Sequence, residues 1–284
     1  MSLPALLRTS SLGLAWVACG APPASTAPRE IASGAPLEAA SAPSRAAPSA
    51  VQAPMLGGES LGTLDVEGFL PAYLAVPIGA TEPRPIVLAV HGNGDRAEWQ
   101  CEVWAGIFRR TAFVLCPAGK LGGESSPGDP RYTFSHDMML EREIDAGLAA
   151  LRASTFAPWL RPEKPVYAGF SLGAMMGITI ASRRAADFPT LILVEGGLEK
   201  LTDPQLARFV ASGGDRILFA CSEGKACADA SKLFADLLTS HGGHGMAVYA
   251  GPVGHRYDGP VADAVAAALP SFLGADAYWK ALLE

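Results

Sequence analysis

Pro165-Val166-Tyr167-Ala168-Gly169-Phe170-Ser171-Leu172-Gly173-Ala174-Met175-Met176-Gly177 reads as a short apolar strand, a Gly-x-Ser-x-Gly turn and a helix of small residues. A strand, turn and helix in that order can force a serine onto a strained turn with its hydroxyl exposed as a nucleophile. Glycines on both sides of Ser171 leave room for a sharp turn and for close packing of helix on strand. In a chain with 31 glycines the five-residue pattern alone carries little. Its place between a strand and a helix carries the argument.

Outward from this turn, apolar runs alternate with helical patterns. Residues 61–67 and 72–77 read as an opening antiparallel pair, and runs at 86–91, 112–116, 166–170, 191–195, 217–221 and 246–250 as further strands. Unbroken hydrophobic runs are the mark of parallel strands covered on both faces, whereas one-sided sheets alternate. Helices are expected near 98–110, 137–154, 172–185, 203–211, 227–240 and 259–272; Leu140, Ile144, Leu148 and Leu151 recur at helical spacing as core positions. The order argues for an α/β fold, a mostly parallel doubly wound sheet of about eight strands with helices on both faces. Such sheets bind ligands beyond the carboxyl ends of their strands, and the polar clusters of this chain fall at those ends.

The two ends of the chain differ. Residues 1–19 hold one arginine, Arg8, an apolar run at 12–18 and then Cys19. The run is too short to span a bilayer and fits a secretory signal. Val17-Ala18-Cys19-Gly20 resembles a bacterial lipoprotein cleavage box, with Trp16 where that box usually has Leu. The resemblance implies export, lipidation of Cys19 and a membrane-anchored lipoprotein of the cell envelope; an ordinary signal peptide cleaved near Ala21 is the alternative. Residues 20–54, rich in Ala, Pro and Ser, cannot offset their ordering entropy by burial and are expected to be a disordered tether. The folded domain is expected over 55–284.

Four further cysteines, Cys101, Cys116, Cys221 and Cys227, suggest two disulfides in an exported domain. Three connectivities are possible. Pairing Cys101 with Cys116 and Cys221 with Cys227 is favoured, because each pair brackets a strand end and a neighbouring helix or loop. No spacing matches a zinc site, and the reading calls for no metal and no cofactor. The net charge of −6, with no basic run, argues against a nucleic-acid partner. Contact with a membrane is expected only through the lipid at Cys19.

Three positions make residues 60–273 resemble the α/β-hydrolases. Ser171 matches the family's nucleophile elbow. His255, in Gly251-Pro252-Val253-Gly254-His255, follows the last strand, where the family places its catalytic base. His91-Gly92-Asn93-Gly94 follows an early strand and is similar to the oxyanion-hole loop. The resemblance implies a serine hydrolase. A serine hydroxyl is a poor nucleophile until an imidazole takes its proton and returns it to the leaving group. Charge on the carbonyl oxygen needs fixed donors, worth about 3 kcal/mol each. The expected donors are the backbone N–H groups of Leu172 and Asn93. His91 is expected to orient its loop, His136 to cap a helix beside Asp137, and His241 and His244 to be solvated.

The acid has two candidates. In most of the family it follows the strand read at 217–221, where this chain runs Ser222-Glu223-Gly224-Lys225-Ala226-Cys227. Lys225 falls about where an Asp would stand, Glu223 is within reach, and Asp229 is expected to face out from a helix. The other candidate is Glu195, which closes a buried strand before Gly196-Gly197; some branches of the family place the acid there. A salt bridge or loop clamp is the structural alternative for Glu195. Both carboxylates stay open at this point.

The segment between the strands read at 191–195 and 217–221 has room for one helix, so no large cap domain is expected and the site should be open. The long loop at 117–136 should shape the cleft together with Trp99 and Trp104, with Tyr132 and Trp99 as substrate-binding residues. No pocket charge suggests a phosphate or strongly anionic substrate. The resemblance extends to exported carboxylesterases, polyester depolymerases and small oligopeptidase-like enzymes. A small-molecule or polymeric ester is the expected substrate, and a peptide bond the runner-up. A non-catalytic, lipid-tethered binding module is the reading from another class.

Overall fold

In the computed structural model, residues 55–274 and 277–283 are described. The leader at 1–19, with Cys19, and the tether at 20–54 lie outside the described residues.

The apolar runs become the strands of an eight-stranded sheet with order β1-β2-β4-β3-β7-β8-β9-β10. Leu61–Leu64 (β1) and Ala72–Ala75 (β2) form the antiparallel opening pair, and β2 runs antiparallel to Phe113–Cys116 (β4). From there the sheet is parallel: β4, Ile86–Val90 (β3), Val166–Phe170 (β7), Thr190–Val194 (β8), Arg216–Cys221 (β9) and His244–Tyr249 (β10). β3, β4 and β7 are buried along their whole length, as continuous aliphatic runs covered on both faces must be.

Side chains alternate between the two faces and feed two cores. Leu88 and Val90 pack with Leu140 and Ile144 of Asp137–Ala153 (α2), Met176 and Ile178 of Leu172–Ala181 (α3), Leu206 of Asp203–Ala211 (α4) and Leu238 of Lys225–Ser240 (α5). Val87 and Ala89 pack with Cys101 and Trp104 of Ala97–Ile107 (α1), with Val261 and Leu269 of Pro260–Leu273 (α6), and with Leu283 of Ala277–Leu283 (α7). Between β8 and β9 the chain holds a 3-10 turn and α4, with no inserted cap.

Two elements go beyond the sequence expectation. Lys120–Leu121 (β5) and Tyr132–Thr133 (β6) form a small antiparallel ribbon inside the long 117–136 loop, and α7 follows α6. Trp104 is a correction. It lies fully buried on the inner face of α1 with its ring 6.3 Å from Phe108, so it supports the core and lines no cleft. Disulfides join Cys101 of α1 to Cys116 at the end of β4, and Cys221 at the end of β9 to Cys227 of α5. The second closes the short loop that contains Ser222 and Glu223.

Because β3 and β7 to β10 are parallel, their following loops emerge at one edge. Residues 91–96, Ser171, Glu195, 222–224 and 250–259 gather there.

Candidate active site

Ser171 sits between β7 and α3 with φ 50° and ψ −113°, a conformation that L residues avoid. Its N–H donates to the Val194 carbonyl at 2.9 Å, and its carbonyl accepts from Met175 N–H at 3.0 Å. The turn is thus tied to β8 on one side and opens α3 on the other. A Cβ at Gly173 would stand 2.1 Å from the Val90 carbonyl oxygen, so only glycine lets α3 approach β3 this closely. Leu172 is the first residue of α3, and its N–H belongs to the first turn, where helix geometry supplies no internal acceptor.

The 91–94 loop passes against this turn. A Cβ on Gly92 would meet Phe170 Cδ1 at 2.9 Å and Ser171 Cβ at 3.3 Å. His91 is fully buried, its ring 4.5 Å from Phe134 and its nitrogens 2.7 Å from the Gly92 carbonyl oxygen and 3.1 Å from that of Ala118. Burial pushes its pKa down, against the two carbonyl contacts, and its nitrogens tie the ring to the backbone at Gly92 and Ala118. Asn93 is exposed, and its Oδ1 accepts from the Thr133 hydroxyl at 2.6 Å. Gly94 N–H donates to the Tyr132 carbonyl and Tyr132 N–H to the Asp95 carbonyl, both at 2.9 Å. The β6 strand therefore straps the loop that carries the Asn93 amide.

His255 stands between Ser171 and a carboxylate. Its Nε2 is 2.9 Å from Ser171 Oγ, and its Nδ1 is 3.1 Å from Glu223 Oε1. A carboxylate only accepts, so Nδ1 carries the proton and Nε2 accepts from the serine hydroxyl. The ring lies 5.0 Å from the ring of Phe170. The His255 and Glu223 side chains are 42% and 53% exposed, so this pair is open to solvent.

Glu195, the other candidate acid, lies beside this pair, with its carboxyl within 4.8 Å of both, but makes its hydrogen bond to Ser222. It closes β8 at φ 51° and is 6% exposed, with Oε1 2.5 Å from Ser222 Oγ. Burial raises its pKa and the Glu223 charge adds to this, against the Ser222 hydrogen bonds and the His255 charge. Lys225 opens α5 and pairs with Asp229 at 2.6 Å, so neither faces the imidazole.

Ser222 has no part in the sequence reading. Its carbonyl accepts from Val253 N–H at 3.1 Å and Gly254 N–H at 3.3 Å, and its hydroxyl lies 2.6 Å from the Gly254 carbonyl oxygen. It clamps the backbone immediately before His255. Nothing in a loop serine separated from its partner by 32 residues announces such a contact.

No protein-family model matches the chain, and no curated protein matches it. Solved structures do. TT1662 from Thermus thermophilus is 17% identical with a TM-score of 0.52, covering 75% of this chain and 97% of that one. Est1E from Butyrivibrio proteoclasticus is 14% identical with a TM-score of 0.52, covering 76% of this chain and all of that one. The dienelactone hydrolase-like promiscuous phosphotriesterase P91, from metagenomic libraries, is 16% identical with a TM-score of 0.51, covering 78% and 95%. The chain has the α/β-hydrolase fold.

On this α/β-hydrolase frame, the ribbon side of the site holds a cavity of about 250 Å³ lined by Asn93, Gly94, Glu124, Arg131 and Thr133. The sequence shows no pocket charge that suggests a phosphate or strongly anionic substrate, and here Arg131 and Glu124 line the cavity together beside Asn93. Trp99 is 42% exposed on α1, with the Arg96 and Arg131 guanidiniums 4.7 and 4.9 Å from its ring centre. Tyr132 is half-buried in β6 and meets the 91–94 loop through its backbone. His136 caps α2 by accepting from Met139 N–H at 3.3 Å. His241 pairs with Asp203 at 2.6 Å rather than lying free in solvent.

Proposed function

We propose that the protein is a serine hydrolase of carboxylic esters, acting through an acyl-enzyme on Ser171. The observation that carries this reading is the continuous contact from Ser171 Oγ through the His255 imidazole to Glu223. His255 Nε2 takes the Ser171 proton as Oγ attacks the ester carbonyl carbon. The N–H groups of Leu172 and Asn93 meet the oxyanion. The tetrahedral intermediate collapses, the alkoxide leaves with the proton from His255, and an acyl-serine remains. Water, deprotonated by the same imidazole, then releases the acid and restores Ser171. Glu223 holds the Nδ1–H tautomer throughout. The pocket and the open triad support a small or polymeric ester rather than an enclosed ligand, with Trp99 and Tyr132 as the substrate-binding residues of this reading.

Labelling by a fluorophosphonate probe tests the nucleophile. Wild type is expected to label and Ser171→Ala to lose both labelling and ester turnover; equal labelling of the two sinks the assignment. A panel of short- to long-chain nitrophenyl esters with one aminoacyl amide tests the bond, and cleavage of the amide alone would replace the esterase reading with a peptidase one.

The same proposal places the domain outside the cytoplasm, on a tether at 20–54 anchored by lipid at Cys19. The lipobox-like sequence and the two disulfides support it. Cys19→Ser is expected to move the protein from the membrane fraction to the soluble one.

A further inference from the structure

Ser222 is fully buried, with one hydroxyl facing two acceptors. Its Oγ lies 2.5 Å from Glu195 Oε1 and 2.6 Å from the Gly254 carbonyl oxygen. A hydroxyl has one proton to donate, and a carbonyl can only accept. With Glu195 ionised, both neighbours would be acceptors, and one of the two short contacts would set lone pair against lone pair. A proton on Glu195 Oε1 removes the conflict: Glu195 donates to Ser222, and Ser222 donates to Gly254. We propose that Glu195 is held as a neutral carboxylic acid and, through Ser222, positions the loop that carries His255.

A second observation agrees. Glu195 Oε2 is buried and has no hydrogen-bond partner among the described residues. An unpaired carbonyl oxygen of a neutral acid is far cheaper to bury than an unpaired carboxylate oxygen. Among the described residues, a Glu223 carboxyl oxygen and a His255 ring nitrogen lie within 4.8 Å of the Glu195 carboxyl. The neighbouring Cys221 and Cys227 are joined and do not titrate. Burial opposes a charge on Glu195 and the Glu223 charge adds to this, against the Ser222 hydroxyl and N–H and the His255 charge.

The two carboxyl groups divide the work. Glu223 is the hydrogen-bond partner of Nδ1. Glu195 completes a clamp in which the Ser222 carbonyl takes two N–H groups and its hydroxyl reaches the Gly254 carbonyl. When rising pH removes the Glu195 proton, Ser222 must turn to the new carboxylate and release Gly254. The His255 loop then loosens, and turnover falls on the alkaline side.

The kinetic part of this assignment rests on the hydrolase reading; its spectroscopic part does not. Infrared difference spectra of wild type minus Glu195→Gln at neutral pH should show a protonated-carboxyl carbonyl band that disappears as pH rises. The buried carboxyl of Glu143 is common to both proteins and cancels. Absence of the band overturns the proposal. In ester turnover, Glu195→Ala should lose about tenfold or more in kcat, and Glu195→Gln, whose amide can donate to Ser222, should recover most of it and lack the alkaline fall. A glutamine variant as impaired as the alanine one overturns the proposal. Should Glu195→Gln fail to fold, Ser222→Ala gives the same answer: the band must move to higher frequency as its acceptor is lost, and an unmoved band counts against it. A band present without fluorophosphonate labelling of Ser171 would sink the hydrolase reading and leave the Glu195 proton in place.

Discussion

Glu223, the acid of the proposed triad, is exposed, with a 53% exposed side chain 3.1 Å from His255 Nδ1. In water-like surroundings its Coulomb attraction is modest, so its leverage is the choice of tautomer. Glu223→Gln can present either an amide oxygen or an N–H to Nδ1, and the latter leaves Nε2 protonated and unable to receive the serine proton. A fall in kcat of about 10²- to 10⁴-fold is expected, with KM little changed. Nitrophenyl ester kinetics on a variant of unchanged circular dichroism measure it, and a kcat within about twofold of wild type would remove Glu223 from the triad. The meeting of Ser171 with His255 was legible because each stands in a context that sequence can describe, between strand and helix or after a last strand. The carboxylate that meets His255 Nδ1 was not legible. Choosing between Glu195 and Glu223 depends on φ 51° at Glu195 and on a hydroxyl supplied by Ser222, and neither leaves a trace in the spacing of residues.

Strands announced themselves by unbroken aliphatic runs, whereas the β5–β6 ribbon did not. Each of its strands has two residues in a polar, Gly-rich stretch, and its place is fixed by bonds to Gly94 and Asp95 rather than by its own pattern. Trp104 was misplaced for a related reason: on α1 it shares the buried face with Cys101 and Ala105, while Trp99 falls on the open face. The α2 helix offers a test of how the long loop is held. Glu143 is 5% exposed and its Oε1 accepts the Gly119 N–H at 2.9 Å. Burial raises its pKa, against the Gly119 and Ala118 N–H groups. A raised folded-state pKa means the folded protein binds the proton more tightly than the unfolded chain, so stability is lost as pH rises from the ordinary value of 4.5 through the folded one. Glu143→Gln keeps an acceptor for Gly119 and removes this slope. Thermal midpoints measured from pH 4.5 upward should therefore fall less for the variant than for wild type; parallel curves would show that Glu143 titrates normally. At the elbow, Gly173→Ala places a Cβ 2.1 Å from the Val90 carbonyl oxygen and should cost about 3 kcal/mol or more in denaturant unfolding.

At the scale of the molecule, the sheet gathers its functional groups at one edge, and the two disulfides hold that edge in different ways. Cys101–Cys116 spans 15 residues and ties α1 to β4 inside the core, whereas Cys221–Cys227 spans 6 and closes the loop bearing Ser222 and Glu223. Chain entropy assigns about 3 kcal/mol to the first and about 2 kcal/mol to the second. Function should rank them in the opposite order. Opening the first loosens packing behind β4 without freeing any group that touches His255. Opening the second lets the turn after β9 move, and with it the Glu223 contact to Nδ1 and the Ser222 clamp on Gly254. The double variant Cys101→Ala with Cys116→Ala should therefore lose more stability in urea yet keep most of its kcat at temperatures below its midpoint. The double variant Cys221→Ala with Cys227→Ala should lose less stability and more turnover. A stable, fully active protein lacking Cys221–Cys227 would mean that β9 and the His255 loop hold the site without the staple.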